Sequence, residues 1–211
     1  MMETAPRYPV HLDVVDRPVL VVGGGTVAGR RARELRACGA QVTVVAAAIE
    51  GDPATWEGVT VAHRPYAPGE AREYRLVVAA TDDAGVNRLV CADAEKAGVW
   101  ANNASLPGGG AVAVPAVLRR GPVLMSVGTG GASPGLAAWL RDQIADLLGP
   151  EVAVLAELVG EARREVRTDP RADVVPDWRP ALDSGMLDLI RLGRIPEAKE
   201  RLSACRSSSS G

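Results

Sequence analysis

The chain of 211 residues is 47% hydrophobic but only 3% aromatic, and its 24 Lys and Arg against 26 Asp and Glu leave a formal net charge of −2. This balance excludes a general attraction to nucleic acid or to anionic membranes. The 3 cysteines are scattered, so we expect reduced thiols rather than disulfides. His11 and His63 lie far apart, so we expect no metal site. No apolar run reaches the roughly 20 residues of a bilayer span, and residues 1–9 lack a signal-peptide pattern, which together predict a cytoplasmic protein.

Apolar runs alternate with helical patterns through the first half of the chain. The first run, within 17–25, is unbroken, which is typical of a strand covered on both faces of a parallel sheet. The repeated alternation of apolar runs with helices predicts an α/β fold with a Rossmann-like doubly wound parallel sheet. The predicted elements are strands within 17–25, 42–48, 59–62, 74–80 and 99–102, and helices at 26–38 and 83–97.

The composition changes after Asn103, where a segment rich in proline and glycine follows. The patterns beyond it predict a few more strands and then a mostly helical region. These elements are strands at 111–119 and 122–127, helices at 133–148, 151–166 and 195–204, and short helices and turns within 169–196. The serines of 206–211 are too polar to pack, which predicts a disordered tail.

The first predicted strand ends in the hexapeptide 23–28, which fits the pattern G-x-G-x-x-G/A. Gly23 would make the tight turn, Gly25 would let the backbone approach a pyrophosphate, and Ala28 would allow close helix–strand packing. Gly24 completes the turn, and amides at the start of the helix would bind the phosphates. The strand–turn–helix context favours dinucleotide binding, and a plain structural turn is the alternative.

Two other strand ends bear on the same ligand. Residues 44–48 contain no Asp or Glu for a ribose 2′-hydroxyl and no Arg for a 2′-phosphate, which favours NAD over NADP. Backbone groups of Ala47 and Ala48 would then bind the ribose. Thr81 follows another strand and is expected near the nicotinamide. Asp82 and Asp83 come next, either in the same site or as the cap of the following helix.

Several segments, in this order, resemble one known family. They are Tyr8–Asp13, Arg17–Arg31, Ala80–Asp83 with Asn87 downstream, and Gly121–Pro134. Together they resemble the precorrin-2 dehydrogenase / sirohydrochlorin ferrochelatase family of sirohaem biosynthesis, over almost the whole chain. The most specific element is the segment Thr-Gly-Gly-Ala-Ser-Pro before a long helix, because ordinary dehydrogenases do not require it.

The resemblance implies a Rossmann NAD-binding domain (1–112), a dimerisation region (113–149) and a helical C-terminal domain (150–205), assembled as a homodimer. It implies oxidation of precorrin-2 to sirohydrochlorin with hydride transfer to NAD. Some members also insert Fe²⁺ to give sirohaem. The resemblance places NAD contacts on Thr26, Val27, Ala47 and Ala48.

One residue of the family pattern is replaced. The family carries N-[VA]-x-D-x-P, and its aspartate is the proposed acid/base; at the aspartate position this chain has Ser105. A serine hydroxyl is not a general base near pH 7 without a partner, and positioned acid–base catalysis is typically worth roughly 10²–10⁴-fold. We therefore expect slower oxidation and leave Fe²⁺ insertion open. The alternative is a non-catalytic sensor or carrier that binds NAD or a tetrapyrrole.

The substrate is expected beside residues of both halves of the chain. Arg119 and Arg120 would attract its carboxylates, and ordinary turn charges are the alternative. Thr129 aligns with a serine of the family, and the alternative is a role in helix entry with Ser133 as N-cap. The predicted substrate residues are Asn102, Arg119, Arg120, Thr129, Gly130 and Gly131.

Overall fold

The computed structural model describes residues 7–52, 56–106, 108–168 and 177–207. The chain divides into two compact units between Val114 and Pro115. The first unit contains a five-stranded sheet, and the second contains a two-stranded sheet and several helices.

All neighbouring strands of the first unit run parallel, in the order β3-β2-β1-β4-β5. The strands are β1 (Pro18–Val22), β2 (Gln41–Ala46), β3 (Thr60–His63), β4 (Leu76–Ala79) and β5 (Trp100–Asn103), with helices α1 (Thr26–Ala37) and α2 (Ala84–Lys96). The strand order reverses between β1 and β4, and in open α/β sheets ligands bind beyond the carboxyl ends of the strands at such a point. The predicted doubly wound parallel sheet is confirmed.

Residues of β1 pack alternately on the two faces of the sheet, and four of them are at most 2% exposed. Val19 and Val21 belong to a cluster that includes Ala28 and Ala32 of α1. Leu20 and Val22 belong to a second cluster that includes Val90, Cys91 and Ala94 of α2. Burial of the Cys91 thiol raises its pKa. Both faces of β1 are therefore covered, which explains why its sequence is apolar without alternation.

The structure corrects two predicted strands. Strand β2 ends at Ala46, so Ala47 and Ala48 belong to the following loop; alanine is apolar but does not by itself extend a strand. Residues 111–115 are not part of a strand. The Val112 amide donates to the carbonyl of Ala101 at 2.8 Å, so this segment runs beside β5 in an irregular conformation.

The second unit begins with two antiparallel strands, β6 (Ala116–Arg120) and β7 (Val123–Val127). Its helices are α3 (Pro134–Leu147), α4 (Glu151–Thr168), α5 (Arg179–Leu182), α6 (Met186–Arg191) and α7 (Ile195–Ser207). Helix α7 includes the first two residues of the predicted tail 206–211, because extending an existing helix costs little; residues 208–211 lie outside the described ranges. None of the helices in the described part of the chain has the length and apolar character of a membrane span.

Helices α4 and α6 are joined by an ion pair between Glu151 and Arg191. Glu151 is buried, and its carboxylate accepts a hydrogen bond from Arg191 Nε at 2.8 Å. Its own backbone amide, followed by Arg191, lowers the pKa of this carboxyl below its ordinary value of 4.5.

We expect this pair to make the second unit sensitive to acid. A carboxyl whose pKa is lowered by folding stabilises the fold above its unfolded pKa, and this stabilisation is lost as the pH falls through the folded pKa. A Glu151→Gln variant should therefore unfold at a lower temperature than wild type at pH 7, and the difference should shrink below pH 4.5. Thermal unfolding followed by circular dichroism at several pH values measures it; a difference independent of pH contradicts the assignment.

Candidate functional site

The glycine-rich turn after β1 leaves no room for side chains at two of its positions. Gly23 has a φ of +128°, and a Cβ there would lie 2.3 Å from the carbonyl oxygen of Ala80. A Cβ on Gly24 would lie 1.9 Å from the carbonyl oxygen of Ala48. The turn is held between the chain segments that follow β2 and β4, so both positions require glycine.

Gly25 is the N-cap residue of α1 and leaves the start of this helix open. Its backbone is extended, and no side chain among the described residues caps the helix there. A Cβ at Gly25 would meet one atom within 4 Å, Glu50 Oε2 at 3.5 Å. Because the first amides of a helix need an acceptor from outside the helix, this N-terminus is suited to bind a phosphate.

A cleft of about 330 Å³ lies at the carboxyl ends of β1, β2 and β4. This volume is within the range of small-molecule sites, roughly 300–1,000 Å³. The cleft brings together many of the residues predicted to bind the dinucleotide: Gly23, Gly24, Gly25, Ala47, Ala48, Thr81 and Asp82. Thr26 and Val27 are exposed in the first turn of α1, and Ala28 is fully buried where α1 packs on the sheet.

Two charged residues in the cleft lining were missed by the sequence reasoning. Glu50 follows β2 by four positions, and its amide donates to the carbonyl of Gly24 at 2.8 Å, so the loop folds back on the glycine turn. Arg64 follows β3 directly and also lines the cleft. Its guanidinium donates to both carboxylate oxygens of Glu70, at 3.1 and 2.6 Å. The hydrogen bond with Glu70 raises the pKa of Arg64. Both residues lie outside the segment 44–48, where a charge for the ribose is expected.

The loop after β4 contains both the cap of the following helix and residues that line the cleft. Asp83 is the N-cap residue of α2, and its Oδ1 accepts from the amides of Gly85 and Val86 at 2.6 and 3.1 Å. Thr81 and Asp82 line the cleft. The cap of α2 is thus Asp83, while its neighbours Thr81 and Asp82 belong to the cleft lining.

The buried side chain of Asn87, which is 0% exposed, holds the loop after β4 in place. Its Oδ1 accepts from the amide and the hydroxyl of Thr81, at 3.0 and 2.8 Å. Its Nδ2 donates to the carbonyl of Thr81 at 2.8 Å and to Ser105 Oγ at 3.0 Å. One buried amide therefore fixes both polar groups of the Thr81 backbone and connects them to the segment after β5.

Replacing Asn87 with Ala should leave these Thr81 groups without buried partners. We expect the free energy of unfolding to fall by about 3 kcal/mol, because orphaned buried polar groups carry the full cost of their desolvation. Denaturant unfolding measures the loss. Arg88→Ala, at the exposed neighbouring position, is the control and should change stability by less than about 0.5 kcal/mol. Equal effects of the two variants contradict this role of Asn87.

Ser105 is engaged as a neutral hydrogen-bonding group. Its hydroxyl donates to Asn103 Oδ1 at 2.8 Å while it accepts from Asn87. Its amide also donates to Asn103 Oδ1, at 3.1 Å. No base receives the Ser105 proton among these contacts, so the geometry favours a role in holding the loop rather than proton abstraction.

In the second unit, Thr129 and Ser133 build the entry to α3. Ser133 Oγ accepts from the amide of Leu136 at 3.1 Å, and the Ser133 amide donates to Thr129 Oγ1 at 3.2 Å. Gly130 and Gly131 have φ values of +63° and +88°, which favour glycine. The structure shows the alternative role, helix entry with Ser133 as N-cap, while substrate binding by this segment stays a prediction.

The remaining predicted substrate residues are divided between the units. Arg119 and Arg120 lie on β6, and Arg120 Nε donates to the carbonyl of Leu148 at 3.2 Å, where it caps the end of α3. Asn102 is 7% exposed on β5, and its Nδ2 donates to the carbonyl of Val112 at 2.9 Å. Its Oδ1 has no hydrogen-bond partner in the described part of the chain.

Residues 10–116 match a family model described as "Putative NAD(P)-binding". The chain belongs to this family. The match covers β1 to β5 and therefore all the segments that line the cleft. A nicotinamide dinucleotide is thus the ligand class that the family and the geometry share.

Relatives and a solved structure extend the similarity beyond this region. The chain is 35% identical over 200 residues to "Siroheme synthase" of Methylococcus capsulatus, which covers 92% of the chain and 42% of that protein. It is 32% identical over 202 residues to "Siroheme synthase" of Nitrosococcus oceani, 93% of the chain and 43% of that protein. The structure titled "SirC, precorrin-2 dehydrogenase" matches with a TM-score of 0.72 and 27% identity, over 95% of this chain and 99% of that one. The family resemblance predicted from the motifs is confirmed, while the chain spans less than half of these siroheme synthases.

Proposed function

We propose that the protein is a dehydrogenase that oxidises precorrin-2 to sirohydrochlorin with NAD as the acceptor. The observation that carries the proposal is the cleft at the switch point of the sheet, where the glycine turn and the open start of α1 face the carboxyl ends of β2 and β4. The similarity to SirC, precorrin-2 dehydrogenase, over 95% of the chain supports the substrate.

The residues of the cleft fit a dinucleotide. A Cβ at Gly25 would meet only Glu50 Oε2 within 4 Å among the described residues, so a ligand has access to the backbone there, and the amides that begin α1 would bind its pyrophosphate. When bound, NAD supplies the hydride acceptor. Thr81, held by Asn87, positions the nicotinamide end, and Glu50 lies near Gly25 at the other side of the turn.

Oxidation also releases a proton. Ser105 does not accept it, because its hydroxyl is neutral and already hydrogen-bonded to Asn87 and Asn103. Water or a carboxylate of the substrate accepts the proton, and Arg119 and the Thr129–Gly131 segment bind the tetrapyrrole. A neutral hydroxyl also supplies no anionic oxygen to Fe²⁺, so the proposal is confined to oxidation.

The proposal includes a homodimer in the cytoplasm, in which residues 113–149 form the dimer contact. Leu136, Trp139 and Leu147 of α3 are 46%, 56% and 73% exposed. Their helical spacing places them along one side of α3, and an exposed apolar stripe of this kind is typical of an interaction surface.

An anaerobic assay of precorrin-2 with and without NAD tests the function. We expect NADH formation in equal amount to the precorrin-2 consumed, and no oxidation without NAD. The neutral state of Ser105 favours a second candidate, a carrier that binds NAD and tetrapyrrole without turnover. Tight binding of both ligands without NADH formation would establish the carrier and overturn the dehydrogenase. Adding Fe²⁺ to the product then tests chelation separately.

A further inference from the structure

Besides Asp82, which follows β4, two carboxylates shape the charge of the cleft that would receive a dinucleotide. Glu50 lines it and lies beside Gly25, at the start of α1. Glu70 does not line the cleft but is bonded through both oxygens to Arg64, which does. The basic residue in this lining is therefore neutralised, while Glu50 contributes a negative charge.

NAD and NADP differ only in the group on the 2′ position of the adenosine ribose. A carboxylate accepts a hydrogen bond from a 2′-hydroxyl but repels a 2′-phosphate, whereas an available arginine binds the phosphate. The loop that carries Glu50 follows β2, the strand whose end receives this ribose in dinucleotide-binding sheets. The observed charges thus match a hydroxyl and oppose a phosphate.

We propose that Glu50 and the Arg64–Glu70 ion pair determine the choice of NAD over NADP. Glu50 binds the ribose hydroxyl. Glu70 keeps the guanidinium of Arg64 hydrogen-bonded, so that it does not bind a 2′-phosphate. Glu70 also accepts a hydrogen bond from the amide of Ala67 at 2.8 Å, so its oxygens hold the loop after β3 in place. This inference rests on the proposed function, because it assumes that the cleft binds a dinucleotide.

Glutamine substitutions remove each charge while they keep an oxygen that accepts hydrogen bonds. In Glu50→Gln we expect the affinity for NADP to rise about tenfold, because a like-charge contact is removed. In Glu70→Gln we expect a similar rise of about tenfold, since Arg64 becomes available to the phosphate. Because the two effects act on different groups, the double variant should bind NADP about 100-fold more tightly than wild type.

Calorimetric titration of the full chain with NAD and with NADP measures these affinities without turnover. Glu57→Gln is the matched control: Glu57 is exposed, lies outside the cleft lining and should leave both affinities unchanged. If both Glu50→Gln and Glu70→Gln bind NAD but keep the wild-type ratio of NAD affinity to NADP affinity, this inference is wrong and the proposed function is unaffected. If wild type binds neither dinucleotide, the proposed function fails and the inference fails with it.

Discussion

A Gly25→Asn variant is expected to keep its fold and to lose about 100-fold in affinity for NAD, which corresponds to roughly 3 kcal/mol. The extended backbone of Gly25 is the conformation of an N-cap residue, and asparagine is among the best residues at this position. Its side chain would accept the hydrogen bonds of the α1 amides that otherwise bind the pyrophosphate. The asparagine side chain would thus occupy the amides at the start of α1 in place of the pyrophosphate.

In Gly25→Asn the affinity for NAD should therefore fall without a fall in the free energy of unfolding. We expect the free energy of unfolding to be unchanged or raised by a few tenths of a kcal/mol, as measured by denaturant titration. Gly51→Asn is the matched control, since a Cβ at Gly51 meets nothing within 4 Å and asparagine tolerates its positive φ of +81°. Unimpaired NAD binding in Gly25→Asn would show that the start of α1 does not hold the dinucleotide.

The double variant Asn103→Ala/Ser105→Asp is expected to raise kcat for precorrin-2 oxidation by about 100-fold, within the usual contribution of a positioned acid/base. It restores the family pattern N-[VA]-x-D at residues 102–105. Ser105→Asp alone should not reproduce the gain. A carboxylate at 105 would face Asn103 Oδ1, which lies 2.8 Å from the present Ser105 hydroxyl, and two acceptors repel each other at that distance.

The pH dependence of kcat identifies the origin of any gain. A new carboxylate base should give the double variant a rate that falls at acidic pH, and Asn103→Ala alone should lack this fall. The two positions should be strongly non-additive, because the side chains are in direct contact. Equal rates for wild type and the double variant would show that no acid/base at position 105 limits the reaction.

The fold was predictable from the sequence because the central strands β1 and β4 are buried. Both strands therefore read as unbroken apolar runs, and the glycine turn fixes where the first run ends. The end of β2 was placed two residues too late, since Ala47 and Ala48 extend the apolar run without extending the strand. Apolar character predicts burial more reliably than it predicts the last residue of a strand.

The charges and hydrogen bonds of the site were less predictable, because they depend on contacts between distant segments. Ser105 meets Asn87 across 18 positions, and Arg120 reaches Leu148 across 28. Glu50 enters the cleft only because its loop returns to the carbonyl of Gly24. The contact between Asn103 and Ser105 is different, because an Asn side chain commonly bonds to the backbone two residues on. This contact could therefore be predicted from the sequence.

A crystal structure of the protein with NAD tests the central claim most directly. We expect the two phosphates to accept hydrogen bonds from the amides at the start of α1, with the adenosine ribose toward Glu50 and the nicotinamide toward Thr81. A dinucleotide bound elsewhere on the chain, with this turn empty, would contradict the account.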